Sequence, residues 1–113
     1  MPFIQTRTNK SISEEQKVNI KSRLGEAITL IGKSESWLML DFVPDCNMYF
    51  KGNNNIDMAY IDVKLYGNAS DEACNNMTKA ITNIISSELD IDPSNIYVSY
   101  IPISNWGWNG SNF

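Results

Sequence analysis

The apolar positions of this chain follow two periods. Val18, Ile20, Leu24, Ala27, Ile28 and Ile31 recur at helical spacing. Ser13 and Gln16 stand ahead of them in a capping-box pattern. Glu14 and Glu15 fall in the first turn, where the helix dipole favours negative charge, and Gly32 is placed to stop the run. The spacing therefore predicts an amphipathic helix over 14–31. A second stripe, Cys74, Met77, Ile81, Ile84, Ile85 and Leu89, follows Ser70, Asp71 and Glu72 and predicts a second helix. The remaining apolar stretches are short. Residues 3–8 read as a strand, apolar at Phe3 and Ile4. Residues 37–43 read as a strand stopped by Pro44, with Leu38, Leu40 and Phe42 on one face and Trp37, Met39 and Val43 on the other. A brief strand at 48–50, one at 58–66 ended by Gly67, and one at 96–101 stopped by Pro102 complete the set. Residues 51–55 and Asp92-Pro93-Ser94 are turn material. The tail from Trp106 to Phe113 is aromatic and glycine-rich.

The two halves repeat. Each runs strand, capped helix, strand, proline, and at a constant offset Leu38, Leu40, Phe42 and Val43 fall on Ile96, Val98, Tyr100 and Ile101. Helical spans between strands imply two βαβ units with parallel pairs. The expected fold is α/β: one domain over 1–113, with a four-stranded mixed sheet and two helices on one face. Residues 37–43 and 96–101 carry apolar side chains on both faces, a sign of burial on both sides. Two helices cover only one side of such a sheet, so the expectation is that another copy of the chain covers the other.

Composition narrows the function. With 113 residues, 42% hydrophobic and 19% charged, the balance is that of an ordinary globular domain. The net charge is −4 with no cluster of Lys and Arg, which excludes nucleic acid as an expected partner. No apolar run approaches the roughly 20 residues of a membrane helix. No basic segment leads into an apolar one at the start, so no signal peptide is expected. There is no histidine, and Cys46 and Cys74 lie far apart, which excludes a zinc site built from Cys and His. The two cysteines are expected to be free thiols.

The start of the chain carries the candidate chemistry. A methionine before a small residue is normally removed, which would leave Pro2 with a free secondary amine able to act as base or nucleophile. An α-amino group titrates at about 7.7–8.0. Burial or a nearby cation lowers that value towards neutral pH, where proton transfer is efficient. Pro2 after Met1, Thr8-Asn9, Gly32-Lys33 after the first helix, Val43-Pro44-Asp45 and Gly107-Trp108-Asn109-Gly110-Ser111 together make the chain similar to the macrophage migration inhibitory factor family, of the tautomerase superfamily. The resemblance runs the whole chain.

That resemblance implies a fold in which three sheets close a trimeric barrel. It implies keto–enol tautomerase activity on phenylpyruvate-type 2-oxo acids, with no metal or organic cofactor. Pro2 would be the catalytic base. Lys33 and the Leu65 N–H would bind the substrate carboxylate, Tyr97 would come from a neighbouring subunit, and Ser99 stands where the family has a pocket asparagine. Phe3, Trp37, Trp106 and Trp108 would be the aromatic walls. On its own, Lys33 also reads as a cation favoured at a helix C-terminus, and the tryptophans as core or interface anchors. The chain departs from the family at Lys64-Leu65-Tyr66, where Ser-Ile-Gly is common; Tyr66 lacks the freedom of glycine and would narrow the mouth. Asp57 and Tyr60 replace the Cys-x-x-Cys of the vertebrate cytokines, which removes the basis for thiol-redox activity. No arginine pair points to the dehalogenases or decarboxylases of the wider group. The family also offers a second function, a secreted cytokine-like protein acting on a host receptor with weak or vestigial tautomerase activity. The corresponding places are the cytoplasm, or the outside of the cell after leaderless secretion.

Overall fold

The computed structural model describes residues 1–113. Strand β1 (Pro2–Thr8) leads through the cap at Ser13 into helix α1 (Glu14–Ala27). The Ser13 Oγ accepts from the Gln16 N–H at 3.1 Å, and the Gln16 Oε1 accepts from the Ser13 N–H at 2.8 Å, closing the expected capping box. The last turn tightens into 3-10 helix over Ile28–Ile31 and stops at Gly32, whose φ of 74° is left-handed. A turn of 3-10 helix, Glu35–Trp37, precedes strand β2 (Met39–Val43). Trp37 thus lies in a turn rather than in the expected strand, because the Ser34 Oγ caps the Ser36 N–H and the Leu38 N–H closes back on the Glu35 carbonyl. Residues 48–50 form no strand either; only Phe50 and Asn53 bridge across the turn. Strand β3 (Ala59–Tyr66), helix α2 (Asp71–Leu89, capped by Ser70) and strand β4 (Ile96–Ile103) follow. β4 runs through Pro102 instead of ending there. It is an edge strand, and an edge tolerates a residue without an N–H. The tail folds into a hairpin of β5 (Gly107–Trp108) and β6 (Ser111–Asn112).

The main sheet has the order β2-β1-β3-β4. β1 is parallel to β2 and antiparallel to β3, and β3 is parallel to β4, so two βαβ units meet along β1 and β3 as the repeat implied. Both helices pack on one face. Ile20, Leu24, Ile28 and Ile31 meet Met77, Ile81, Ile85 and Leu89 over Ile4, Ile61, Val63 and Leu65 in one core cluster. Gln16 Nε2 donates to the Glu88 carbonyl, and Arg23 pairs with the Glu88 carboxylate at 3.0 Å, tying the helices together. Val18 departs from the predicted stripe. It is exposed, at the mouth of a groove with Leu38, Leu40 and Phe42 beside the open edge of β2. Cys46 and Cys74 are free thiols.

The helix-free face is less apolar than the pattern suggested. The central strands turn Gln5 and Arg7, and Tyr60, Asp62 and Lys64, towards it, and Gln5 Nε2 donates to Asp41 Oδ2 at 2.8 Å. The apolar exposure lies at the flanks, on Met39 (67% exposed), Tyr97 (57%) and Ile101 (45%) of the edge strands. The two-sided apolar pattern of β2 and β4 is therefore a property of edges, not of a dry second core. On the inward face of β1, Thr6 and Thr8 are fully buried between helices and sheet. The Thr8 hydroxyl donates to the Met58 carbonyl at 2.7 Å, and the Thr6 hydroxyl has no protein partner.

Candidate active site

The start of β1 opens into a cavity of about 650 Å³ at one end of the sheet. The chain start contributes Met1 and, from β1, Pro2 and Phe3; the 3-10 turn and the start of β2 contribute Ser36 to Met39, β3 contributes Lys64, and the tail contributes Trp106 and Trp108. Proline suits the first residue of a strand, where no ladder N–H is required. Pro2 is buried and stands opposite Leu65; in the intact chain its nitrogen is in the peptide bond from Met1. The Met1 carbonyl accepts from the Tyr66 N–H at 2.9 Å, so the terminal residue extends the ladder by one step.

The aromatic walls are held by one another. Trp37 and Trp108 meet edge to face, 5.0 Å between centroids at 89°. Trp108 stacks near Phe113 at 6.2 Å, and Phe113 tilts against Tyr66 at 5.5 Å. The hairpin that carries Trp108 turns at Asn109-Gly110, both at positive φ (50° and 87°), the geometry of a tight two-residue turn. The Phe113 N–H closes back on the Trp106 carbonyl at 3.0 Å.

The amino terminus lies at this cavity, and its pKa is pushed below the ordinary α-amino value. Burial is the larger cause and the positive charge of Lys33 the lesser. Lys33 follows Gly32 directly, and its Nζ donates to the Tyr66 carbonyl at 2.8 Å, so the left-handed stop of the first helix aims this lysine at the end of β3. Lys33 stands beside the cavity rather than in its wall. Leu65 is inside the sheet, between Pro2 and Pro102, with its side chain in the core. The N–H that meets the chain start is that of Tyr66.

Pro2, Phe3, Trp37, Trp106 and Trp108 are thus brought together, with Lys33 and Leu65 next to them. Tyr97 and Ser99 are not. Tyr97 lies at the opposite end of the sheet, paired with Tyr60, its ring edge-on to Phe50 at 4.8 Å. Ser99 shares a 2.7 Å hydrogen bond with the Tyr60 hydroxyl on the helix-free face. Within one chain neither side chain faces the cavity. Sequence reasoning missed Lys64. It alternates with Leu65 on a strand, and its register partner Phe3 places it in the wall.

A family model for macrophage migration inhibitory factor (MIF) matches residues 1–113. The chain belongs to the macrophage migration inhibitory factor family. The mouse macrophage migration inhibitory factor is 29% identical over 118 residues, covering 100% of this chain and 99% of the relative. The crystal structure of Leishmania major MIF2 superposes with a TM-score of 0.94 at 31% identity, covering 100% of this chain and 97% of that one. A family homologue from Prochlorococcus marinus, at 24% identity over 98% of each chain, shows the same fold with a TM-score of 0.88. The four-stranded mixed sheet with two helices is the tautomerase fold of this family.

Proposed function

We propose that this family member is a keto–enol tautomerase of phenylpyruvate-type 2-oxo acids, with Pro2 as the base once Met1 is removed. The observation that carries the reading is the terminal amine, held below its ordinary pKa in an aromatic-walled cavity by burial first and by Lys33 second. The same burial and the same lysine would act on an amine one residue along, so they would lower the pKa of a Pro2 amine and favour its acting as a proton acceptor. It takes the enol hydroxyl proton. The C=C electrons move as the carbonyl forms, and the proton returns from Pro2 to carbon. Removal of Met1 also frees the Tyr66 N–H from the Met1 carbonyl, leaving a donor beside Lys33 for the substrate carboxylate. Phe3, Trp37, Trp106 and Trp108 hold the ring and exclude water, which strengthens the electrostatics at the base.

The assembly belongs to the same reading. β2 and β4 are open edges at opposite sides of the sheet, each flanked by exposed apolar side chains. Joining the β2 edge of one copy to the β4 edge of the next is a head-to-tail contact, which forms a ring when its rotation closes after three copies. In a homotrimer this would carry Tyr97 and Ser99 of one copy towards the site of its neighbour.

The test is enol-to-keto conversion of phenylpyruvate, followed by ultraviolet absorbance, for the Met1-free protein and for a form whose amine is blocked by retained Met1. Mass spectrometry confirms each form. Turnover by the first only, with the same sedimentation for both, supports Pro2. Full activity with the blocked amine removes Pro2 from the mechanism, and a dominant 12.8 kDa species in sedimentation removes the trimer.

A further inference from the structure

The cavity wall holds a cation that Lys33 does not replace. Along β1 and β3 the side chains alternate, so Pro2 and Leu65 face the helices while Phe3 and its register partner Lys64 face the other way. Lys33 arrives from the end of the first helix and is engaged at the Tyr66 carbonyl. Lys64 stands on the opposite side of the sheet end, its Nζ 5.8 Å from the centre of the Phe3 ring and in the cavity wall. The nearest carboxylate, Asp62 Oδ2, is 3.8 Å away. That separation attracts Lys64 and limits its wandering, but it exceeds the roughly 2.7–2.9 Å of a charge-assisted hydrogen bond. An ammonium has three donors and no acceptor, and this one belongs to the wall of a cavity lined mainly by hydrophobic side chains, four of them aromatic.

One cation in the wall of this cavity and a second, Lys33, beside it fit a flat ligand with two anionic groups. We infer that Lys64 is a specificity-determining residue that selects 2-oxo acids carrying a second, distal carboxylate over those ending in an uncharged ring. The inference rests on the tautomerase reading above and names the substrate class of that site. Lys33 and the Tyr66 N–H hold the carboxylate next to the reacting carbonyl, the rings hold the unsaturated middle, and Lys64 takes the far carboxylate. Asp62 competes with that far carboxylate for Lys64.

The experiment compares two substrates that differ by one distal carboxylate, phenylpyruvate and para-carboxyphenylpyruvate, in the Met1-free protein. The quantity read is the ratio of their kcat/KM values. In Lys64→Met and Lys64→Gln the ratio should fall against the dicarboxylate by about fivefold, the scale of one part-exposed ion pair. In Asp62→Asn, which frees Lys64, it should rise. A ratio that stays put in both Lys64 variants overturns the inference. Isothermal titration calorimetry with cinnamate and para-carboxycinnamate separates this failure from failure of the tautomerase reading. If neither oxo acid turns over but the dicarboxylate binds more tightly and loses that preference in both Lys64 variants, the tautomerase reading falls and the two-anion cavity stands. Equal binding of the two cinnamates by the unaltered protein overturns the two-anion cavity itself.

Discussion

Replacing Thr6 with valine should stabilise this protein. Thr6 is 1% exposed on the central strand β1, and its hydroxyl meets no protein acceptor or donor. A buried hydroxyl without a partner costs about 1–3 kcal/mol, the desolvation penalty of the group. Valine keeps the branched shape and the restricted χ1 of threonine, so neither packing nor rotamer has to change. The methyl group adds at most about 0.8 kcal/mol of apolar burial. The expected gain is about 1–3 kcal/mol, or roughly 4 °C in Tm for each kcal/mol. Thr8 supplies the control. It is just as buried and on the same face, but its hydroxyl donates to the Met58 carbonyl and accepts from the Lys10 N–H. Thr8→Val should therefore destabilise by about 1–3 kcal/mol, because it orphans two backbone groups. The assay is urea unfolding followed by far-ultraviolet circular dichroism at one fixed protein concentration, with m-values compared before midpoints are interpreted. Two variants that move in the same direction, or a Thr6→Val protein weaker than the parent by more than about 0.5 kcal/mol, would refute the reasoning.

Lys33→Ala removes the lesser of the two causes that depress the terminal pKa, so the amine keeps its proton to higher pH and less of it is neutral at pH 7. The acidic limb of the kcat/KM profile should move upward in pH, and a downward move or none would contradict the charge argument. Gly32→Ala places a side chain at φ 74° where nothing crowds it within 4 Å. Backbone strain alone should cost about 1 kcal/mol by urea unfolding, with a raised KM as Lys33 loses its aim. Trp108→Ala loses the edge contact with Trp37 and the stack on Phe113. Steady-state kinetics should show KM rising severalfold, while global stability drops by less than about 1.5 kcal/mol.

The elements that local chemistry punctuates are legible in the amino-acid sequence alone. Ser13 with Gln16, Ser70, Gly32 and Gly67 mark ends by hydrogen bonding or by backbone freedom, and both effects are written in single residues. The repeat of strand, helix and strand implies the parallel pairs and the two helices on one face. Illegible are the places where long-range partners decide. Trp37 is the local exception, joining a 3-10 turn because Ser34 caps it, a signal masked by apolar neighbours that read as strand. Pro102 continues β4 because that strand lies at an edge, and edge position is a tertiary fact. Thr6 and Thr8 look polar in a short strand, and only the helices above them make them core. The aromatic walls and Pro2 are readable from the motifs, but Lys64 is not, since its role follows from register against Phe3. Tyr97 and Ser99 sit away from the cavity of their own chain, and no intrachain pattern can bring them to it.

The hairpin of the tail and the turn at Trp37 have an optical consequence. All three tryptophans of the chain, Trp37, Trp106 and Trp108, stand around the one cavity, while none of the fully buried side chains of the core is aromatic. Indole emission from this protein therefore reports on the cavity and is blind to the helix–sheet core. Helical dichroism does the opposite, watching α1 and α2 and ignoring the rim. An unfolding experiment read by both signals would follow two separate parts of one chain. If emission changes ahead of dichroism, the gap between the two curves measures how readily the hairpin lifts from Trp37 while the rest of the fold holds.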